Sequence, residues 1–411
     1  MKILHVADLH LGKTIYGVSL IDSLDQPKWV EEFIKTVDQE NPDVILIAGD
    51  VFDRSAPKDD AYQLLDHMIT EIQKRGIPLF IVAGNHDSGI KLQHLNQILW
   101  ENQVYIVGKL EKELKKVVIK DEYGPVNFYF LPYIFPNLVA HVLEDESIKD
   151  YNTAMKAILE IQEINPKERN VLIAHQNVVA NGEHAQYGGS ETMVGGSGEI
   201  DYQVFKDFDY VALGHIHSSY PVGREGVRYA GSPLCYHFDE IRQTNKGPLL
   251  VHLKGKGEDL TVDHIRIEPY HRMVEIKGTM AEIKERLENH YMEREYYRLV
   301  ITDQRTSPDF TSLVRNLAFS RKGMVLEIVS EYKEFSKVTQ KTASTFHQKT
   351  LEEYFTELYR NRKDEVDPDE IEEKVIEMTA ELVRKAEEEE KLAVPTDQAV
   401  DCLLNQIMKM F

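Results

Sequence analysis

The chain has 411 residues, of which 42% are hydrophobic, and this composition predicts a globular protein with two or three cores. The net charge of −21 argues against a large basic surface that binds nucleic acid on its own. The sequence contains no run of eighteen apolar residues, so no membrane span is predicted. Cys235 and Cys402 are the only cysteines and lie far apart, which disfavours a disulfide framework and predicts a reducing, cytoplasmic location.

Alternating strands and helices are predicted for residues 1–271. Apolar runs at 3–7, 44–48, 79–83 and 171–174 are typical of strands buried on both faces. Further strands are expected near 104–107, 117–120, 127–131, 210–213, 227–230 and 249–253, and helices at 28–40, 61–75, 91–101 and 150–164. This order predicts an α/β fold in which a two-sheet sandwich is flanked by helices.

The helices predicted at 61–75 and 91–101 each carry an apolar face. The residues on these faces are Leu64, Leu65, Met68 and Ile72 in the first helix and Leu92, Leu95, Ile98 and Leu99 in the second. Packing against the core is the first interpretation, and a homodimer contact is the functional alternative.

A glycine-rich segment covers residues 187–198 and contains five glycines among its twelve residues. It lacks the Gly-Lys-Ser/Thr ending of a nucleotide-binding P-loop, so phosphate binding of that kind is disfavoured. We expect a mobile loop between His175 and His215 that is able to contact substrate.

A smaller α/β unit is predicted for residues 272–334. Strands at 273–277, 297–302 and 324–328 alternate with helices at 280–290 and 308–319. Roughly sixty residues is near the minimum for an independent core, so we interpret this βαβαβ unit as a cap on the larger domain.

The C-terminal region, residues 345–411, is predicted to be helical. Residues 351–411 hold 18 acidic and 8 basic side chains, so much of the negative charge of the chain lies here. Three amphipathic helices are expected, the second of which begins at Asp367-Pro368 and the third at Pro395. The pattern leaves open whether they form a self-packed bundle or a docking module for another protein.

Five short motifs place metal-binding side chains where predicted strands end. The motifs are Asp8-Leu9-His10, Gly49-Asp50-Val51-Phe52-Asp53, Gly84-Asn85-His86-Asp87, His175 and Gly214-His215-Ile216-His217. Taken singly, each residue is more commonly a turn former or a structural polar group. Together they combine carboxylate, amide and imidazole ligands without sulfur, which suits Mn, Fe or Zn at the strand ends of an α/β sheet. The combination favours a two-metal phosphoesterase.

The spacing of these residues permits a shared site. On extended backbone, side chains two apart project to the same side, so Asp8 with His10, and His215 with His217, are each expected to address one metal pocket. Asp50 has two oxygens and is suited to bridge two cations, which in such sites lie roughly 3.5–4 Å apart and activate water. His86 can stabilise or protonate the leaving oxygen. Asp53 is placed to orient His86 by a hydrogen bond, and Asp87 is the alternative.

The ordered motifs resemble those of the calcineurin-like metallophosphoesterases over residues 1 to about 270. Within them, the N-terminal motifs, the cap and the helical tail resemble the SbcD family of nuclease subunits. The resemblance implies one metal bound by Asp8, His10, Asp50 and His217, and a second bound by Asp50, Asn85, His175 and His215. It also implies His86 as the leaving-group residue. Archaeal and eukaryotic relatives place a histidine where Asp53 stands, so a direct substrate role for Asp53 is not implied.

The family resemblance further implies Mn²⁺-dependent cleavage of DNA. The expected activities are 3′–5′ exonuclease action on double-strand ends and endonuclease action on single strands and hairpins, in repair, replication and recombination. The implied partner is SbcC, a coiled-coil ATPase that binds the C-terminal helices. A homodimer at the centre and a DNA-binding role for the cap are also implied.

Two other functions are considered. One is a phosphodiesterase acting on small phosphodiesters or nucleotides, which needs neither a cap nor an acidic tail. The other is a non-catalytic scaffold that binds DNA ends, which does not need the intact ligand set.

Overall fold

The computed structural model describes residues 1–180, 198–243, 245–290 and 292–332. The glycine-rich segment as far as residue 197 and the tail helices expected at 345–411 lie outside the described residues. The helices are α1 Asp25–Glu40, α2 Asp59–Gln73, α3 Gly89–Leu92, α4 Asn96–Glu101, α5 Pro136–Leu143, α6 Tyr151–Glu160, α7 Met280–Glu288 and α8 Pro308–Phe319. The strands are β1 Lys2–Val6, β2 Thr14–Ile15, β3 Val18–Ser19, β4 Val44–Ala48, β5 Leu79–Val82, β6 Val104–Val107, β7 Lys115–Asp121, β8 Gly124–Leu131, β9 Arg169–His175, β10 Val178–Val179, β11 Ile200–Asp201, β12 Tyr210–Gly214, β13 Pro221–Val222, β14 Arg224–Tyr229, β15 Leu249–His252, β16 Thr261–His264, β17 Arg272–Gly278, β18 Glu295–Ile301 and β19 Met324–Ser330.

Two six-stranded sheets form the main domain. The first has the order β16-β15-β1-β4-β5-β6, in which β1, β4, β5 and β6 are parallel, β15 pairs antiparallel with β1, and β16 pairs antiparallel with β15. The second has the order β13-β14-β12-β9-β8-β7, in which the four central strands are parallel and both outer strands antiparallel. Parallel central strands bring their carboxyl ends to one edge of each sheet, where ligands bind in folds of this kind.

The two sheets pack face to face and are covered by helices on their outer faces. Phe80 of the first sheet contacts Phe128 and Phe130 of the second, with ring centroids 5.0 and 5.1 Å apart. The outer face of the first sheet packs on α1 and α2, and that of the second on α5 and α6. The central strands are therefore buried on both faces, which explains why they are continuous apolar runs in the sequence. The expected helix-flanked sandwich is confirmed.

The prediction of one continuous helix at 91–101 is wrong. The segment is two short helices, α3 and α4, joined at Leu95, whose backbone is left-handed with φ of +59°. Packing of its apolar face against the core is also wrong in part, because Leu95 and Ile98 are each 58% exposed. Apolar residues continue at helical spacing across the break, so periodicity alone does not reveal it. The apolar face of α2 does pack on the core.

The strands β17, β18 and β19 form a separate parallel sheet with α7 and α8 on it. Its core contains Ile276, Ile283 and Leu299, and both helices begin at side-chain caps, Thr279 and Ser307. The elements agree with the expected βαβαβ order. The contacts between residues group all described residues into one compact unit. The domain boundary expected at residue 271 therefore stays a prediction.

The small sheet meets the main domain at Asp25, the first residue of α1. The Tyr296 hydroxyl donates to Asp25 Oδ2 at 2.7 Å, and the His271 amide donates to Asp25 Oδ1 at 3.0 Å. The rings of His271 and Tyr296 stack with centroids 4.5 Å apart. Asp25 is buried, so these bonds replace its lost hydration and fix the smaller unit to the larger one.

None of the helices in the described ranges has the length and hydropathy needed to cross a membrane.

Candidate metal centre

Five strands end at one place, which we call the ligand rim: the carboxyl ends of β1, β4, β5, β9 and β12. The residues at the ligand rim include all seven expected ligands, which are Asp8, His10, Asp50, Asn85, His175, His215 and His217. The chain segments beyond β1 and β4 run side by side, since the Asp8 amide donates to Gly49 O at 3.1 Å and the His10 amide to Asp50 O at 2.9 Å. The topology thus gathers residues from distant parts of the sequence.

The backbone at the ligand rim is strained. Four of the expected ligands, Asp8, His10, Asp50 and His215, have positive φ values of 54°, 43°, 49° and 100°. Non-glycine residues rarely adopt this conformation, and clusters of them are typical of functional sites. Gly84 and Gly214 permit close packing of the chain here because they lack a Cβ atom. A Cβ added to Gly84 would clash with Asp50 Oδ1, and one added to Gly214 would clash with the carbonyl oxygen of Ala48.

One group of donors consists of Asp8, His10 and His217. The Nε2 atoms of His10 and His217 lie 3.2 Å apart, and donor atoms of all three residues fall within 4.8 Å of one another. The Asp8 carboxylate also accepts the backbone amide of His215, at 3.0 and 3.2 Å from its two oxygens. All three side chains are buried, so they are held in place before any ion binds.

A second group surrounds Asn85. Its Oδ1 lies 3.0 Å from Nε2 of His175 and 3.1 Å from Nδ1 of His215. His175 donates from Nδ1 to the carbonyl of Ala48 at 2.8 Å, which leaves Nε2 facing the site. Asp50 stands between the groups, with Oδ2 at 3.3 Å from Nε2 of His175 and 3.6 Å from Nε2 of His10. This is the position expected of a bridging carboxylate.

The electrostatics fit a site for cations. Burial opposes the charge on Asp50, yet the neighbouring imidazoles of His175 and His10 hold the pKa of that carboxyl well below its usual value. Burial lowers the pKa of His215 to about 3, so its imidazole is neutral at neutral pH. Burial also opposes the charge on His175, yet the carboxylates of Asp50 and Asp8 raise its pKa to about 9, so this imidazole releases a proton when it binds a metal ion. The donor set of oxygen and nitrogen atoms matches Mn, Fe or Zn.

His86 lies beside the donors with its imidazole only partly buried. Its backbone amide donates to Asp50 Oδ1 at 2.9 Å, and its ring packs edge to face on His10 with centroids 4.8 Å apart. Nδ1 donates to the backbone carbonyl of Asp53 at 2.8 Å. Because Nδ1 is used in this way, Nε2 is the nitrogen left to meet a substrate.

The expected contact between His86 and the Asp53 carboxylate requires a correction. The orienting oxygen is the main-chain carbonyl of Asp53, while its carboxylate accepts from Lys13 Nζ at 2.8 Å and lies 3.7 Å from His10 Nδ1. Among the described hydrogen bonds, the Asp87 carboxylate makes none to His86 either. It accepts the backbone amides of Val51, Phe52 and Gly84, at 3.1, 2.9 and 2.9 Å, and so ties two ligand loops together.

Sequence reasoning missed the residues that support the ligands. Gln26 donates to the carbonyls of Leu9 and His10 at 3.2 and 2.8 Å, and the Tyr236 hydroxyl donates to those of Asp8 and Leu9 at 3.0 and 2.7 Å. Glu240 and Lys246 form a buried ion pair of 2.8 Å behind His217. None of them stands in a motif. The sequence around Glu240, His237-Phe238-Asp239-Glu240-Ile241-Arg242, is mostly polar and gives no signal of a buried carboxylate.

Comparison with protein families agrees with the fold. The family described as calcineurin-like phosphoesterase matches residues 1–219. The family described as type 5 capsule protein repressor C-terminal domain matches residues 269–363. Because the first match spans more than half of the 411 residues and contains every expected ligand, the chain belongs to the calcineurin-like phosphoesterase family.

The particular relatives within that family are nuclease subunits. The chain is 32% identical over 292 residues to a protein of Staphylococcus saprophyticus that is named as the SbcD subunit of the SbcCD nuclease, covering 70% of this chain and 75% of the relative. A protein of the same name from Staphylococcus epidermidis is 31% identical over 288 residues, covering 69% and 74%. The resemblance inferred from the motifs is thus confirmed.

Among solved structures, the crystal structure of TT1561 of Thermus thermophilus has a TM-score of 0.37 and 12% identity, covering 64% of this chain and 99% of that one. A likeness this low defines neither fold nor function.

Proposed function

We propose that this chain is the Mn²⁺-dependent DNA nuclease subunit of an ATP-driven complex of the SbcCD type in the cytoplasm. Its activities would be 3′–5′ exonuclease action on double-strand ends and endonuclease action on single strands and hairpins. The observation that carries the proposal is the convergence of the seven candidate ligands and His86 at the ligand rim, in a chain whose relatives are named nuclease subunits.

We assign the ligands to two ions. Asp8, His10, Asp50 and His217 would hold the first, and Asp50, Asn85, His175 and His215 the second. Bound divalent ions supply Lewis-acid activation of water and neutralise charge on the phosphoryl oxygens. The protein supplies a buried, preorganised set of donors, because the amides of His86 and His215 already fix the carboxylates of Asp50 and Asp8.

His86 acts on the leaving oxygen. Its Nδ1–H bond to the Asp53 carbonyl fixes the ring plane and directs Nε2 away from the backbone. A protonated Nε2 donates a hydrogen bond, and then a proton, to the departing alkoxide of the phosphodiester. Asp53 contributes in two ways, through its carbonyl to His86 and through its carboxylate to the surroundings of His10 and Lys13.

The substrate class can be tested with the purified chain, its SbcC-type partner, ATP and Mn²⁺. We expect cleavage of linear duplex DNA and of a DNA hairpin, which a chelator abolishes and added Mn²⁺ restores. A small aryl phosphodiester serves as the competing substrate. Strong hydrolysis of the aryl diester together with intact DNA would instead support an enzyme for small phosphodiesters. A lack of both activities in a metal-loaded chain would support a non-catalytic scaffold.

A homodimer is also proposed, with its contact on α3 and α4. Ile90, Leu95 and Ile98 are 68%, 58% and 58% exposed. They lie within nine residues of one another, on α3, before α4 and on α4, and a contiguous exposed apolar patch marks an association site. For these exposed residues we propose the homodimer alternative that the sequence left open, whereas Leu92 and Leu99 of the same segment pack on the core.

The partner would bind residues 345–411, for which the sequence predicts helices. We expect deletion of residues 340–411 to abolish stoichiometric co-purification with the ATPase while Mn²⁺-dependent endonuclease activity remains, because every ligand lies N-terminal to the deletion. Size-exclusion chromatography of the mixed subunits measures the first outcome, and cleavage of single-stranded DNA the second. A truncated chain that still elutes in a stoichiometric complex would contradict the docking role of the tail.

A further inference from the structure

His217 is held at two points by one ion pair that no motif contains. Its Nδ1 lies 3.2 Å from Glu240 Oε1, and its backbone carbonyl accepts a hydrogen bond of 3.0 Å from Lys246 Nζ. Lys246 also donates to Glu240 Oε2 at 2.8 Å and to Ser232 Oγ at 2.7 Å. Glu240 is completely buried. The ring and the main chain of one expected ligand are thus fixed together.

The contact with Glu240 selects the form of His217 that can bind a metal ion. A carboxylate only accepts hydrogen bonds, so the hydrogen of a neutral His217 resides on Nδ1. Nε2 then carries the lone pair that would bind an ion, and it lies 3.2 Å from Nε2 of His10. A carboxylate on the far nitrogen also raises the basicity of a ligand imidazole and fixes the plane of its ring.

Stability alone is a poor explanation for such a pair. A buried ion pair loses about as much in desolvation as it gains in attraction, and well-packed apolar residues often replace one without loss of stability. Glu240 does accept the amide of Tyr236 at 3.2 Å, which anchors the loop before the short helix Phe238–Arg242. A purely structural role is therefore the alternative that an experiment must exclude.

We propose that Glu240 and Lys246 are positioning residues of the metal centre, in which Glu240 orients the His217 imidazole toward its ion and Lys246 neutralises Glu240 and fixes the His217 backbone. This inference depends on the proposed metal centre. It adds that Glu240 and Lys246, which are not ligands themselves, affect how tightly Asp8, His10, Asp50 and His217 would bind their ion.

The test is manganese binding by the full chain carrying Glu240→Leu together with Lys246→Met. This double variant removes the acceptor for His217 without leaving an unpaired buried charge. Electron paramagnetic resonance of free Mn²⁺ and calorimetry give the number of bound ions and their affinities. We expect one ion to bind roughly 10–100-fold more weakly, which is the usual effect of losing such a partner, while the other ion keeps its wild-type affinity.

The single variant Glu240→Gln keeps the inference testable if the double variant does not fold. Glutamine is nearly the same size and retains an oxygen for His217 but lacks the charge. We expect it to weaken the same ion by a smaller factor than the double variant does.

A matched control is the buried pair of Asp121 and Arg169, replaced by Asp121→Leu with Arg169→Met. Arg169 begins β9 whereas His175 ends it, so the control lies roughly 20 Å from the ligand rim. We expect the control to change the melting temperature but neither manganese affinity. Wild-type affinity for both ions in folded Glu240 variants, or equal losses in the control, would overturn the inference. A wild-type chain that binds no manganese would overturn the proposed metal centre along with it.

Discussion

Replacement of His86 by glutamine is expected to abolish most DNA cleavage while metal binding and DNA binding remain. General acid catalysis by a positioned side chain contributes about 10²–10⁴-fold to a rate, so a loss of that size is expected. The side chain of His86 makes its hydrogen bond to a backbone carbonyl, and its main-chain amide holds Asp50. Glutamine keeps the main-chain bond, so the donor group should survive the substitution.

Single-turnover cleavage of a duplex end in saturating Mn²⁺ measures this effect, with calorimetry for metal affinity and a non-cleavable DNA for binding. His94→Gln is the matched control, because the exposed His94 lies on the same stretch of chain and undergoes the same chemical change. The control should cleave at the wild-type rate. A wild-type rate in His86→Gln would show that the leaving oxygen is stabilised by another group.

The strands and the ligands are predictable from the sequence because both leave local signals. β1, β4, β5 and β9 are short strands with apolar runs, each ending at or just before a candidate metal-binding side chain. Burial on both faces removes the alternation of apolar and polar residues, and the parallel arrangement places all four polar ends together. The convergence of Asp8 with His217, which are separated by more than 200 residues, follows from that topology.

Other features depend on tertiary contacts and leave no such signal. Glu240 reaches His217 across 23 residues through a short 3₁₀ helix, and no spacing rule relates the two. The sequence position of Asp53 indicates a partner of His86, but whether its carbonyl or its carboxylate makes the bond depends on the local path of the chain. The break at Leu95 is hidden because the apolar spacing continues through it. In each case the contact or the helix break depends on the backbone conformation, which the amino-acid composition does not specify.

Asp50→Asn is expected to have the largest effect of any single substitution at the ligand rim. Asp50 is the carboxylate closest to both donor groups, at 3.3 Å from His175 and 3.6 Å from His10. An amide retains one oxygen but neither the negative charge nor a second oxygen for another ion. We therefore expect both ions to bind more than about 100-fold more weakly, beyond the range for residues that only support a ligand, and DNA cleavage to be lost.

Thermal unfolding tests this without relying on activity. A ligand that binds only the folded state stabilises it by about 2.7 kcal/mol at one hundred times its dissociation constant, so Mn²⁺ should raise the melting temperature of the wild-type chain. The same Mn²⁺ concentration should leave Asp50→Asn nearly unchanged. Asp43→Asn is the control, since the exposed Asp43 lies just before β4 and Asp50 just after it, and its carboxylate bonds only to the Lys2 amide among the described hydrogen bonds. That variant should keep the full Mn²⁺-induced shift, even if its own melting temperature falls. An equal shift in Asp50→Asn and the wild type would mean that Asp50 is not a shared ligand, and the bridging role would have to be abandoned.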